Sequence, residues 1–296
     1  MSTSQVVSQV ERLNIKFKAL LELLKFRLTA VVAFSGAIGY GLGADSVRIP
    51  ELILFIIASI AVTGSANTIN QIFEKDVDGV MKRTKTRPLP TGRVSIEEAK
   101  YWAIVIGVLG LSIFAFYFNI RAGFLALLSL ILYGFVYTPL KKVGSVAVLV
   151  GAFPGAFPPM IGWVSATNQF GWEPGILFAI QFFWQFPHFW AIAWVSDSEY
   201  KKVGYNLLPS EGGKDLNTAI QIMLNAAFLL PVSWLPFYFG ITGLNSAIIA
   251  TIFGLLFLAQ TFLLIRKCND KTALQLMFGS FIYLPIVQIA FLLDKV

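Results

Sequence analysis

Charge is scarce in this chain. Only 13% of its 296 residues are Asp, Glu, Lys or Arg, against about 25% in a soluble domain. Cysteine and histidine are scarcer still, with one of each, Cys268 and His188. A single cysteine excludes a disulfide framework and any cysteine-built zinc or iron–sulfur centre, and a single histidine excludes a multi-histidine metal site. With 56% apolar residues and a mean hydropathy of +0.72, a water-soluble enzyme and a disordered chain are excluded as well. What remains is an integral membrane protein whose solvent is the lipid bilayer.

About 20 apolar residues in helical form cross the hydrocarbon core. Nine stretches have that length: 28–46, 51–70, 101–119, 122–139, 145–166, 174–196, 216–240, 244–265 and 273–293. They are continuous and lack the period-2 alternation of a barrel strand, so the expected class is an all-α bundle of nine transmembrane helices. Most connections are too short to hold a second domain, so residues 1–296 form one folding unit. Ahead of the first span, residues 13–27 read as an interfacial amphipathic helix, with Leu13, Phe17, Leu20, Leu21 and Leu24 on one face and Lys18, Glu22 and Lys25 on the other. The first 12 residues are polar, without the apolar core of a signal peptide or the Arg-rich pattern of a transit peptide. A prokaryotic plasma membrane is therefore expected.

The net charge of +7 has a topological cause rather than a nucleic-acid partner. Of the 23 Lys and Arg residues, 20 fall in the N-terminal segment and alternate connections; only Arg48, Arg121 and Lys295 fall on the other side. Positive charge marks the cytoplasmic side, so the N-terminus is expected inside, the C-terminus outside, and the number of spans odd. The acids Glu74, Asp76, Asp78, Asp197, Glu199, Glu211 and Asp215 lie on the same cytoplasmic side, in the two longest connections, after the second and sixth spans.

The first of these connections has the composition of a metal-diphosphate site. Asn70, Glu74 and Asp78 are spaced i, i+4, i+8 and share one helical face, each step rising about 6 Å. Oxygen ligands without His or Cys suit Mg²⁺, which uses few carboxylates, several waters and phosphate oxygens. Asp76 points away from that face. Lys82, Arg83, Lys85, Arg87 and Arg93 follow, interspersed with Pro88, Pro90 and Gly92; a guanidinium holds phosphate bidentately, whereas an ammonium acts as a point charge. Either half alone has an ordinary explanation, as a solvated helix face or as a topological signal. Together, at the end of a membrane helix, they are what a diphosphate leaving group requires.

The second connection repeats the theme with Asp197, Glu199, Tyr200, Lys201 and Lys202 ahead of Gly204 and Leu208-Pro209, and could supply a second metal ligand, Asp197, or further phosphate contacts. His188 stands nine residues earlier, about 13 Å deeper along the sixth span. An ionisable group at that depth is either functional or a neutral histidine hydrogen-bonded to a neighbouring helix. Pro154, Pro158 and Pro159 must interrupt backbone hydrogen bonds in the fifth span. Gly39, Gly41 and Gly43 lie inside a span and follow no strand, so they indicate close helix packing rather than nucleotide binding. A secondary transporter is the rival from another class, although its charges would gather near the bilayer midplane rather than at one face.

At this point the residues resemble the intramembrane aromatic prenyltransferase superfamily, and within it the branch that farnesylates heme. The resemblance rests on Asn70 to Asp78 running into Arg83 to Arg93, on Tyr137-Thr138-Pro139-Leu140-Lys141, on Gly151 to Pro159, on Gly162-Trp163, on Trp184 to Phe189, and on Tyr200 to Pro209. It extends from about Leu20 to the C-terminus. Three positions depart from the pattern: Glu74 stands where Asp is frequent, Phe26 replaces a frequent proline, and the paired acids before Tyr200 are Ser198-Glu199. The resemblance implies Mg²⁺-dependent transfer of the farnesyl group of farnesyl diphosphate to the 2-vinyl group of heme b, giving heme O. Prenylation of a quinone precursor or another aromatic acceptor stays open within the superfamily. On this reading Asn70, Glu74, Asp78, Arg83, Arg87, Asp197 and Glu199 carry the reaction, with Asn70, Glu74, Asp78 and Asp197 on the metal. Lys82, Tyr200 and Lys201 add substrate contacts, and His188 is a candidate axial ligand to heme iron. A heme A synthase or an oxidase-assembly factor would be the downstream partner.

Overall fold

In the computed structural model, which describes residues 14–296, all nine expected stretches are helices long and apolar enough to cross a membrane. A short helix α1 (14–23) precedes the first span. The spans are α2 (Phe26–Gly43), α3 (Ile49–Phe73), α5 (Ile96–Ser112, continued by a π-helical stretch Ile113–Phe118) and α6 (Ile120–Ile131, continued by a π-helical stretch Leu132–Tyr137 and by α7, Thr138–Leu140). They continue with α8 (Val146–Thr167), α9 (Trp172–Lys201), α10 (Leu216–Val232, followed by α11, Leu235–Tyr238), α12 (Leu244–Lys267) and α13 (Asp270–Leu293). A six-residue helix α4 (Lys75–Val80) follows α3.

Local sequence sets several of these boundaries. Ser95 and Glu98 form a reciprocal capping box at the start of α5, and Asn119, Asp215 and Asn269 accept from the first turns of α6, α10 and α13. Helix α9 runs past the expected end at residue 196, so Asp197, Glu199, Tyr200 and Lys201 occupy its last turns and not a loop. No glycine or proline intervenes between Pro187 and Gly204, and an Asp197–Lys201 pair at 2.9 Å supports the extra turn.

Helix α1 packs one face against the bundle. Ala19, Leu23 and Leu24 turn inward onto Leu89, Val94, Ala99 and Ala61, while Phe17 and Leu21 are exposed. Leu13 lies outside the described residues. The polar side is tied down by Glu22 to Arg93 at 2.7 Å and by Lys16 to Glu98.

Helices α2, α8, α9 and α13 pack around the centre of the bundle. The three prolines of α8 do not break it. A proline at position i leaves the carbonyl of i−4 without its helical donor, and for Pro158 and Pro159 neighbouring helices supply donors. Gln181 and Gln185 of α9 donate to Gly155 O (2.7 and 3.1 Å), freed by Pro159, and Ser129 donates to Pro154 O (3.4 Å), freed by Pro158. The glycines of α2 act as expected: a Cβ on Gly39 would sit 2.0 Å from Pro159 O, and one on Gly162 would sit 2.0 Å from Gly36 O. The α2 and α8 backbones therefore touch directly.

Candidate active site

The C-terminal end of α3 and the start of α4 carry a row of three buried polar side chains. The helix bends at Glu74 (φ −97°, ψ 9°), yet Glu74 N donates to Asn70 O (3.0 Å) and Asp78 N to Glu74 O (2.7 Å). The ladder is preserved, so Asn70, Glu74 and Asp78 stay on one inward face, with exposures of 1, 5 and 0%, while Asp76 faces out.

Each member of the row is met by a cation from another part of the chain. Lys25 Nζ donates to Asn70 Oδ1 (2.9 Å), whose amide donates in turn to Thr138 Oγ1 (3.1 Å). Lys141 Nζ lies 2.8 Å from Glu74 Oε1, which also accepts from Tyr205 Oη (3.3 Å). Arg87 Nη1 reaches both oxygens of Asp78, at 2.8 and 2.6 Å. The ammonium groups of Lys141 and Lys25 outweigh the upward push of burial and hold the Glu74 carboxyl below the usual carboxylate range. Burial, reinforced by Arg87 and Lys141, lowers Lys25 to about 7.

Lys25 is aimed at the row by the backbone. It adopts a left-handed conformation (φ 51°) between α1 and α2, costly for a residue with a Cβ and kept only where its surroundings fix it. Here Gln71 donates to Leu23 O (2.7 Å) and Asn67 to Leu24 O (3.2 Å), so the elbow is fastened to α3 beside the residue it serves. Thr138 and Lys141 are placed comparably by the π-helical stretch before α7, where Thr138 Oγ1 donates to Tyr133 O (2.9 Å). Such π-turns recur at functional sites. Lys141 Nζ lies 4.6 Å above the Tyr137 ring, which meets Tyr133 at 5.4 Å and Phe189 at 6.0 Å. An aromatic wall thus lies below the charged row.

The remaining expected residues lie farther out. Lys82, Arg83 and Lys201 are exposed. Glu199 accepts from the Lys82 amide (2.9 Å) and pairs with Lys202, so it latches the end of α9 to the first loop. Asp197 is paired with Lys201, and Tyr200 packs 6.3 Å from Tyr205. Among the described residues no three His, Cys, Asp or Glu side chains gather as a metal cage. The donors that do converge, Asn70 Oδ1, Glu74 and Asp78, are all oxygen, which fits a hard cation that completes its shell with water and phosphate. Lys25, Lys141, Thr138 and Tyr205 were not among the expected site residues. Of these, Thr138 and Lys141 had a signal inside the Tyr137-to-Lys141 motif, and Tyr205 inside the Tyr200-to-Pro209 stretch.

His188 lies in the middle of α9, half-buried. Its ring stacks on Trp184 (centroids 4.2 Å apart, 17° between planes), meets Phe281 at 5.2 Å, and places Nδ1 2.8 Å from Ser280 Oγ on α13.

Residues 30–284 match the UbiA prenyltransferase family. The chain belongs to that family. The protoheme IX farnesyltransferase of Cytophaga hutchinsonii is 53% identical over 282 residues, covering 95% of this chain and 99% of that protein. Among solved structures, digeranylgeranylglyceryl phosphate synthase superposes with a TM-score of 0.80 at 24% identity, over 94% of this chain and 98% of the other. A UbiA homolog from Archaeoglobus fulgidus bound to DMAPP and Mg2+ superposes at 0.71 and 18% identity, over 92 and 98%. The fold is therefore that of a multi-pass intramembrane prenyltransferase, and the charged row at the end of α3 lies within the matched residues.

Proposed function

We propose that this chain transfers the farnesyl group of farnesyl diphosphate to the 2-vinyl group of heme b, giving heme O. The observation that carries the chemistry is the buried Asn70–Glu74–Asp78 row faced by Lys25, Lys141 and Arg87 at one end of an apolar bundle. The choice of heme as acceptor draws on the name of the Cytophaga relative, which is similar over nearly the whole chain.

Asn70, Glu74 and Asp78 would hold Mg²⁺, with Asp197 a further candidate. Mg²⁺ on a diphosphate supplies Lewis acidity to the departing oxygens. Arg87, Lys141 and Lys25 bind those oxygens and stabilise the charge that grows as the allylic C–O bond breaks; Arg83 and Lys82 gather the diphosphate at the rim. The Tyr137, Tyr133 and Phe189 rings offer their faces to the developing allylic cation, as Tyr137 does to Lys141, and the apolar walls keep water away until the vinyl carbon bonds to C1 of the farnesyl group. Water then adds to the resulting cation and releases a proton, and diphosphate leaves. Glu199 holds the first loop closed over the site, with Tyr200 and Lys201 beside it. We assign this end of the bundle to the cytoplasmic side of a prokaryotic plasma membrane, since along the sequence 20 of the 23 basic residues fall in the N-terminal segment and the connections on that side.

The test is incubation of purified protein with heme b, farnesyl diphosphate and Mg²⁺, followed by the mass of the porphyrin. The expected product gains one farnesyl group and one hydroxyl. Unaltered heme alongside a prenylated quinone precursor would replace this acceptor with the other.

A further inference from the structure

Two short contacts converge on the Ser280 hydroxyl. Its Oγ lies 2.6 Å from Met277 O and 2.8 Å from His188 Nδ1. A serine hydroxyl owns one hydrogen. The carbonyl of Met277 can only accept, so that hydrogen is spent along the shorter line, and the contact to His188 needs a hydrogen from the ring. We infer that Ser280 fixes His188 as the Nδ1–H tautomer, leaving the Nε2 lone pair free to bind the iron of a heme.

The surroundings agree with this assignment. Trp184 stacks on the imidazole and its Nε1 donates to Ser280 O (3.1 Å), so ring plane and hydroxyl are held by the same pair of helices. Among the described residues nothing hydrogen-bonds Nε2. A histidine that binds a metal through one nitrogen ordinarily donates the other N–H to a fixed acceptor, which sets the tautomer and raises the basicity of the ligating nitrogen. Phe189, the next residue, packs on Tyr137 beneath Lys141. His188 faces α13 and Phe189, turned about 100° around α9, faces Tyr137, so one turn of this helix contributes to both contacts. Ser280 is a positioning residue acting through His188. The tautomer stands on geometry alone; the heme contact rests on the proposed reaction.

Because the chain has a single histidine, protein labelled with ¹⁵N-histidine and carrying no histidine tag reports on this ring alone. In lipid nanodiscs without heme, Nδ1 should carry the proton and Nε2 should appear as a bare, pyridine-type nitrogen. Ser280→Ala should move the ring toward the Nε2–H form, and Ser280→Thr, which keeps a hydroxyl, should restore the wild-type pattern. A wild-type ring in the Nε2–H form, or one indifferent to Ser280→Ala, overturns the inference. With heme b added, Ser280→Ala should weaken heme affinity about 10-fold and leave binding of farnesyl thiodiphosphate unchanged, which also shows that the variant is folded. His188→Ala should abolish the imidazole-ligated spectrum; an unchanged spectrum overturns the ligand role. Failure of the proposed reaction reads differently, as heme that is ligated but returned unaltered.

Discussion

Two polar clusters lie inside this bundle, and they are built on opposite principles. At the end of α3, Asn70, Glu74 and Asp78 are met by Lys25, Lys141 and Arg87. Deeper in, where α2, α9 and α13 meet, the groups are neutral. Ser35 donates to Gln181 Oε1 (2.6 Å), Gln288 donates to both Ser35 Oγ (2.7 Å) and Gln181 Oε1 (2.9 Å), and Gln181 donates to Gly155 O (2.7 Å). The neutral circuit is closed: its donors already have acceptors, and one of its bonds repairs the backbone next to a proline. The charged cluster holds groups whose partners a magnesium diphosphate can replace like for like, metal for ammonium at the carboxylates and phosphate for carboxylate at the bases. Buried ion pairs contribute little to stability relative to apolar packing, whereas a satisfied neutral network stabilises and fixes helix register. The comparison assigns chemistry to the first cluster and architecture to the second.

The sharpest way to break this assignment is Asp78→Asn. Asparagine keeps the shape and one acceptor for Arg87, so the protein should fold and bind heme. With one charge removed from the metal side of the row, kcat for farnesyl transfer should fall by about 100-fold or more. Activity close to that of the unmodified protein, measured by porphyrin mass at saturating Mg²⁺, would move Asp78 to the architectural group. Removing the metal with EDTA should give a loss at least as large, and addition of Mg²⁺ should reverse it.

A smaller effect is expected at Lys25, which distinguishes a diphosphate contact from a counter-ion that only keeps Asn70 in place. Lys25→Met retains the length of the side chain and removes the charge, and the KM for farnesyl diphosphate should rise about 10-fold, the cost of one charge-assisted hydrogen bond. Lys25→Arg should recover part of the loss. An unaltered KM with a lowered kcat would leave Lys25 as a support for Asn70 only.

The unequal visibility of these residues in the sequence has a physical cause. The nine spans are legible because the bilayer imposes length and hydropathy on each stretch separately, and the Asn70–Glu74–Asp78 row is legible because a helix repeats in about four residues. Lys25, Lys141 and Tyr205 reach the same row from 45, 67 and 131 positions away, and no local period encodes contacts at such separations. The anchoring of α1 is illegible for a related reason: its ion pairs from Glu22 to Arg93 and from Lys16 to Glu98 join segments far apart in the chain. The last turns of α9 are hard to tell from a loop because charge density there resembles a connection, although no glycine or proline intervenes between Pro187 and Gly204.

The smallest expected effect tests the architectural half of the comparison. Gln181→Leu keeps the volume but removes every bond that residue makes. Gly155 O would retain Gln185 as a donor, at the longer distance of 3.1 Å, and Gln288 would retain Ser35. The Ser35 hydroxyl hydrogen and one Gln288 Nε2 hydrogen are left without their acceptor. The loss of stability should therefore be about 1–2 kcal/mol, the cost of these two orphaned donors after partial relaxation, at the upper end of what side-chain hydrogen bonds contribute between membrane helices. Gln185→Leu should cost less, since the stronger of the two donors to Gly155 stays in place. Both variants should keep the KM values for farnesyl diphosphate and heme unchanged in the temperature range where they are folded. If Gln181→Leu instead raised either KM without lowering the unfolding midpoint, the neutral circuit would be lining a substrate and the division between the two clusters would fail.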